Sequence, residues 1–178
     1  GLAALDIEWD NGSGGKVNSA GLRDDLVRQL TRQDAAVARA QGDVAAAMGS
    51  AARQHTAIYH SPFLAHAAME PVNCTVELKA DGCDVWVGTQ APVRARDVAA
   101  RASGLPPEKV RIHNHLIGGG FGRRLEVDYV EQSVAFAKNI AGPVQFIWSR
   151  EEDIQHDILR PLYVDQFTAA LDEKGRPT

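Results

Sequence analysis

The sequence lacks features that define several classes of protein. No apolar run approaches the roughly 20 residues that cross a bilayer. Lysine and arginine together number 19, fewer than the 23 aspartates and glutamates, and the net charge is −4. This balance argues against a nucleic-acid-binding domain, which is expected to carry a basic surplus. The chain starts without methionine and without a basic segment, so we expect no targeting signal and a piece of a longer protein.

Cysteine is also scarce. The spacing of Cys74 and Cys83, the two cysteines, fits no zinc site, and their number excludes a disulfide scaffold. We expect two reduced, semi-buried thiols; the alternative is a bridge across a hairpin. Hydrophobic residues at 44% and charged residues at 24% are sufficient for a folded core. The length of 178 residues therefore predicts one ordinary domain or two small ones.

Helical and extended patterns alternate along the chain. Apolar spacing and capping residues predict helices near Leu22, after Asp43, from Pro92, near Val127 and after Ser149. Strands are predicted over residues 5–9, 35–40, 51–63, 75–78, 85–87, 110–114, 144–148 and 162–171. Because residues 80–82 form a hairpin turn signal, a purely parallel sheet is not expected. We divide the chain into a partial N-terminal α/β segment, residues 1–50, and a second part, residues 51–178.

The most informative segment is the glycine loop, residues 117–124, which follows a predicted strand and precedes a predicted helix. Glycine occupies four of the five positions 118–122, so the backbone can approach a ligand closely. Its amides favour an anion, and Arg123 and Arg124 add positive charge. The spacing is neither a dinucleotide-binding fingerprint nor a P-loop. A non-redox anion- or nucleotide-binding module and a purely structural turn are the alternatives.

Two other segments carry polar groups in unusual settings. His66 and Glu70 lie in an apolar stretch, where buried ionisable groups need partners. One interpretation is that they face a cavity or each other; the favoured alternative is a satisfied core histidine and a surface glutamate. Gln90 lies in a strand-to-helix loop and offers both a donor and an acceptor. His113 and His115 share one face of a predicted strand, but no third ligand is near, so a zinc site is not favoured.

In this order, the segments resemble the molybdenum hydroxylases, the family of xanthine dehydrogenase and aldehyde oxidase. The resemblance is greatest to the large, molybdopterin-binding subunit of isoquinoline 1-oxidoreductase-type enzymes. It rests on residues 66–75, 89–90, 118–124, 148–153, 156–157 and 160–161. The resemblance implies an α+β fold of mixed sheets with helices packed on them, in which residues 51–178 form part of the molybdopterin-binding domain.

The resemblance also implies a molybdenum–molybdopterin cofactor and an oxidoreductase that oxidises an N-heterocycle or aldehyde with oxygen from water. Electrons would leave to an iron–sulfur subunit or domain. The implied cofactor-binding residues are Gln90, Gly118, Gly119, Gly120, Phe121, Gly122 and Arg123. No catalytic residue or metal ligand is assigned, because the general-base glutamate of the family lies farther downstream. We therefore expect the isolated piece to hold no cofactor and to be inactive.

One departure from the family pattern concerns the substrate. Leu125 stands where xanthine-type enzymes carry a substrate-contacting glutamate, and Glu126 follows it. A purine-directed pocket is therefore not expected. The resemblance assigns no compartment, since relatives of this type include exported and cytoplasmic enzymes.

Overall fold

The computed structural model describes residues 5–32 and 34–178, which form two compact units. One contains the described residues up to Leu64 together with Pro161–Thr178, and the other is Ala65–Arg160. The predicted boundary between residues 50 and 51 falls within the first unit. In the described part of the chain, no helix is both long and apolar enough to cross a membrane.

The regular elements alternate along the chain as the sequence predicts. The helices are α1 (Ser19–Gln29), α2 (Val44–Ser50), α3 (Pro92–Ser103), α4 (Asp128–Ala137) and α5 (Arg150–Gln155). The strands are β1 (Arg53–Ser61), β2 (Asn73–Lys79), β3 (Gly82–Val87), β4 (Val110–Asn114), β5 (Val144–Ile147) and β6 (Tyr163–Leu171). Local signals place their ends: Asp43 accepts a hydrogen bond from the Ala46 amide at the start of α2, and Gly104 ends α3 with φ +80°.

Two predicted strands are wrong. Residues 5–9 and 35–40 form no strand, although Leu5, Ile7 and Trp9 alternate with polar residues. All three side chains are exposed, and no strand of the described residues pairs with this segment. Alternation marks a strand only where a neighbouring strand supplies hydrogen bonds and a surface to cover the apolar face.

The first unit contains a strand pair. β1 and β6 run antiparallel, with Thr56 opposite Thr168 and their hydroxyl oxygens 3.3 Å apart. The pair joins segments that are more than 100 residues apart along the chain.

The second unit contains a mixed four-stranded sheet in the order β4-β3-β2-β5, which confirms the predicted fold class. β3 and β4 are parallel, and the other two pairings are antiparallel. The core of this unit brings buried residues of the sheet together with buried residues of α3 and α4. It includes Val76, Val85, Val98, Val130 and Val134.

Both cysteines lie in this core as free thiols, as predicted, and they are fully buried rather than semi-buried. Cys74 lies opposite Val87 and Cys83 opposite Leu78, so the hairpin does not place the two sulfurs as a bridging pair. Burial raises the pKa of Cys74 to about 12 and that of Cys83 to about 11. Both residues are therefore packing groups of low reactivity.

The parallel pair determines where the loops meet. Because β3 and β4 point the same way, the loops that follow them leave the sheet at the same edge. The His115 amide donates to the Val87 carbonyl at 3.0 Å, and the Thr89 amide donates to Asn114 Oδ1 at 3.0 Å. These bonds join the segment that carries Gln90 to the segment that leads into the glycine loop.

Val98 and Val93 on α3 allow a matched test of the core. The Val98 side chain lies in the core of the second unit and is 2% exposed, whereas Val93 is 63% exposed. We expect Val98→Ala to lower the free energy of unfolding by about 2 kcal/mol, through lost burial and the cavity that remains. Val93→Ala should change it by less than about 0.5 kcal/mol. Urea denaturation followed by fluorescence measures both, and equal effects would contradict this packing.

Candidate functional site

Glu70 binds Gly118, at the start of the glycine loop, through both its backbone amide and its side-chain carboxylate. Its amide donates to the Gly118 carbonyl at 3.2 Å, and its Oε2 accepts from the Gly118 amide at 2.7 Å. A Cβ at position 118 would lie 2.5 Å from Glu70 Cβ. This close approach of backbone to side chain explains why glycine stands at position 118.

The Arg124 side chain also binds the glycine loop. Its guanidinium, 1% exposed, donates to the carbonyls of Gly119 at 3.0 Å and Gly88 at 3.1 Å. It also donates to the Glu70 carbonyl at 3.0 Å and pairs with Glu70 Oε2 at 2.9 Å. The side chain therefore connects three segments of the protein. The expectation that Arg124 presents charge to a ligand is wrong, because its donors are used internally.

Arg123 is also turned inward. Its two terminal nitrogens donate to Asp128 at 2.8 and 2.9 Å, and its Nε lies 3.0 Å from Asp157 Oδ1. The Nε contact is an ion pair without hydrogen-bond geometry, and Nε has no hydrogen-bond acceptor among the described residues. Binding of a cofactor by Arg123 stays a prediction, and the geometry places its guanidinium on two carboxylates.

The middle of the glycine loop offers backbone donors. In the described part of the chain, the amides of Gly119, Gly120, Phe121 and Gly122 have no acceptor. The backbone is in the left-handed region at Gly119 (φ +101°), Phe121 (φ +53°) and Gly122 (φ +106°). Successive amides in such a loop form a concave set of donors that suits an oxygen-rich ligand. The Phe121 ring stands beside them and is 70% exposed.

The Gln90 side chain lies beside Gly120 of the glycine loop, and its role in binding a cofactor stays a prediction. Its amide donates to the Arg124 carbonyl at 3.0 Å, which fixes its backbone beside the loop. The Thr89 hydroxyl donates to the same carbonyl at 2.9 Å. A Cβ at Gly120 would lie 2.7 Å from Gln90 Oε1, so glycine at this position leaves room for the carboxamide.

His66 and Glu70 do not pair with each other, contrary to one of the predicted arrangements. His66 Nδ1 lies 3.0 Å from Asp157 Oδ2, while Glu70 contacts Gly118 and Arg124. Sequence reasoning missed Asp157 because it lies 91 residues from His66 along the chain. Its one visible signal was its place in the stretch that resembles the family.

The other histidine candidates form no metal site. His113 Nε2 lies 2.8 Å from Asp84 Oδ1, and its ring stacks on Trp86 with centroids 4.8 Å apart. Among residues 5–32 and 34–178, no group of three or more histidine, cysteine, aspartate or glutamate side chains is arranged to hold a metal ion.

The electrostatics of Glu70 favour its charged form. Burial alone would raise its pKa, but hydrogen bonds from the Gly118 amide and from Asn73, together with the charge of Arg124, lower the pKa below 4.5. The loop is thus held by an ionised carboxylate at neutral pH.

Comparison with known proteins finds one matching family and several relatives of this chain. The model of the molybdopterin cofactor-binding domain family matches residues 28–178. The chain is 34% identical to the isoquinoline 1-oxidoreductase subunit beta of Brevundimonas diminuta, over 85% of this chain and 20% of that protein. It is 30% identical to a membrane-bound aldehyde dehydrogenase of Gluconacetobacter polyoxogenes, named for pyrroloquinoline quinone, over 98% of this chain and 23% of that protein.

A solved structure shows the same fold. Quinoline 2-oxidoreductase from Pseudomonas putida 86 superposes with a TM-score of 0.61 at 20% identity. The match covers 78% of this chain and 18% of that one. The chain thus spans about a fifth of the length of the relatives it matches.

The state of Glu70 predicts how stability depends on pH. Because its pKa is lowered in the folded protein, its contribution is present above pH 4.5 and is lost as the pH falls through the folded value. Glu70→Gln should cost about 1 kcal/mol at pH 7, a figure reduced for its partial exposure. The difference from wild type should shrink as the pH falls below 4.5 towards the lowered pKa of Glu70.

Urea denaturation at a series of pH values measures this dependence. Glu131→Gln, an exposed position on α4, is the matched control and should leave the pH profile of the wild type unchanged. A difference between Glu70→Gln and wild type that stays constant from pH 7 to pH 3 would contradict the assignment.

Proposed function

Because this chain belongs to the molybdopterin cofactor-binding domain family, we propose that it supplies part of the molybdopterin site of a longer molybdenum-dependent oxidoreductase. The reaction is the oxidation of an N-heterocycle or an aldehyde with oxygen derived from water. The observation that carries the proposal is the family match over residues 28–178. The run of four amides at residues 119–122, which have no acceptor among the described residues, agrees with it.

The donor set fits the proposed cofactor. Amides at Gly119, Gly120, Phe121 and Gly122, with the Gln90 carboxamide beside Gly120, would hold its oxygen-bearing part. When bound, the cofactor supplies a centre that takes two electrons from the substrate carbon. The isolated chain contains only part of the residues that such a site needs, so we expect it to be inactive alone.

Gln90 and Phe121 have separate roles in this proposal. Gln90 can donate and accept, so its carboxamide orients an oxygen ligand next to the loop. The exposed Phe121 ring walls the same surface and excludes water from it. Arg123 belongs to the proposed set through its place in the loop, while its guanidinium holds Asp128 and Asp157 in position.

The names of the relatives support the proposed substrate classes and partner. The names of two relatives refer to isoquinoline and to an aldehyde, which supports these two substrate classes. Leu125 is a partly exposed apolar residue, which agrees with a substrate other than a purine. An iron–sulfur subunit or domain would remove the electrons, and the word subunit in the isoquinoline 1-oxidoreductase name supports a multi-chain enzyme.

A non-redox anion- or nucleotide-binding module would use the same amides. The family match over residues 28–178 favours the molybdopterin site over this alternative. One relative, however, is named for a quinone, so the cofactor is best tested by direct chemical analysis.

The first test is the cofactor content of the purified full-length protein that contains this chain. We expect about one molybdenum atom and one pterin per chain, from elemental mass spectrometry and pterin fluorescence. The same protein from a host unable to make the cofactor is the control. Absence of both groups from the competent host would refute the proposal, and extracted pyrroloquinoline quinone in their place would identify a quinone enzyme.

Gln90 gives a second test in the same protein. We expect Gln90→Ala to lower kcat by on the order of 100-fold while molybdenum content stays at the wild-type level, because one polar contact to the reacting group is lost. Gln132→Ala, an exposed position on α4, is the matched control and should retain wild-type kcat. An unchanged kcat in Gln90→Ala would remove this role.

A further inference from the structure

One buried histidine beside the glycine loop has a free nitrogen that the proposed function does not yet use. The His66 side chain is 9% exposed, and its Nδ1 lies 3.0 Å from Asp157 Oδ2. The Asp157 side chain is 1% exposed and also accepts from the His66 amide at 2.5 Å. The same carboxylate therefore holds both the backbone and the ring of His66.

This arrangement determines which tautomer the neutral ring adopts. An aspartate carboxylate only accepts hydrogen bonds, so the proton of the neutral imidazole lies on Nδ1. The Nε2 atom is left with a lone pair. Within the described residues, no hydrogen-bond donor reaches that atom.

The free nitrogen is directed at the glycine loop. A Cβ at Gly122 would lie 3.3 Å from His66 Nε2 and 3.8 Å from Cδ2, and no other neighbour would come within 4 Å. Gly122 has φ +106° and carries one of the amides without an acceptor. Because Gly122 has no side chain, the space between His66 Nε2 and this part of the glycine loop is left unfilled.

The charged side chains around His66 form ion pairs with one another. Asp157 faces Arg123 Nε at 3.0 Å, and Arg123 holds Asp128 with its other nitrogens. Asp153, which also acts on Arg123, is paired with Arg150 at 2.8 Å. A network that holds a buried ring this firmly, yet leaves its outer nitrogen without a partner, is arranged to present that nitrogen to another molecule.

We propose that His66 is a further ligand-binding residue of the molybdopterin site: its Nε2 accepts a hydrogen bond from an N–H or O–H group of the molecule held by the amides of residues 119–122. The site then offers donors and an acceptor side by side. It recognises a ligand that has both acceptor oxygens and a donor group. An anion that has acceptors alone would bind the amides but not His66 Nε2. This inference rests on the proposed function.

Two substitutions separate the roles of the two ring nitrogens. His66→Asn keeps a donor near the place of Nδ1, so it can still bind Asp157, but it removes the Nε2 end. His66→Gln keeps a polar group near the place of Nε2 and gives up the bond to Asp157. His156→Asn is the matched control, because His156 is an exposed histidine whose Nδ1 also contacts a carboxylate, Glu152, at 2.9 Å.

The measurement is the molybdenum and pterin content of the full-length protein after prolonged dialysis, with the thermal midpoint Tm recorded for each variant. We expect His66→Asn to keep a Tm close to wild type and to lose about tenfold in retained cofactor. His66→Gln should have a lower Tm but retain several-fold more cofactor than His66→Asn. His156→Asn should match wild type in both.

The opposite pattern would overturn the inference. If His66→Asn retains cofactor like the wild type, Nε2 does not contact the ligand and His66 only anchors Asp157. That comparison decides the matter even if His66→Gln fails to fold. A wild-type protein without molybdenum and pterin would instead refute the proposed function and this inference together, so the two failures are distinguishable.

Discussion

The buried guanidinium of Arg124 is the interaction on which the candidate site depends. A charge in a protein interior is costly unless it is paired and its hydrogen bonds are satisfied. Here the compensation comes from Glu70 and from the carbonyls of Gly88 and Gly119. These groups belong to segments up to 54 residues apart, so satisfying one side chain requires the segments to meet in one arrangement. The shape of the loop follows from that requirement.

The glycines at these positions are explained by the groups packed against them rather than by a sequence motif. Each lies where a Cβ would meet a specific group: Glu70 Cβ at Gly118, Gln90 Oε1 at Gly120 and an Ile117 methyl group at Gly88. Carbonyls of the loop accept hydrogen bonds within the protein, whereas the four middle amides have no acceptor among the described residues. The loop therefore has backbone donors left for a ligand. The donors of the proposed site are thus backbone amides, because both arginines of the loop pair with carboxylates of the protein.

Local signals account for what could be predicted from the sequence. The cap at Asp43, the left-handed end of α3 at Gly104 and the hairpin at residues 80–82 each depend on a few neighbouring residues, and the structure has all three. The glycine loop and Gln90 were identified as candidates because their composition and family resemblance are visible in the sequence. The strand predicted over residues 5–9 failed because a strand also needs a partner, which a local pattern does not supply.

What could not be predicted are the partners of the charged groups. The adjacent Arg123 and Arg124 were both expected to strengthen anion binding, yet each is used inside the protein, one by Asp128 and Asp157 and the other by carbonyls and Glu70. Such pairings depend on long-range contacts that the sequence does not display.

The inward direction of both arginines has a consequence for the ligand. A site built from neutral amides selects by geometry and contributes little net charge to balance an anion. If the proposed cofactor is bound, the negative charge of its phosphate must be met elsewhere in the longer protein. In the proposed enzyme, this chain would shape the loop and orient the ligand, and the rest of the protein would neutralise the charge of the ligand. The chain spans about a fifth of the length of its relatives, which leaves most of such a protein outside it.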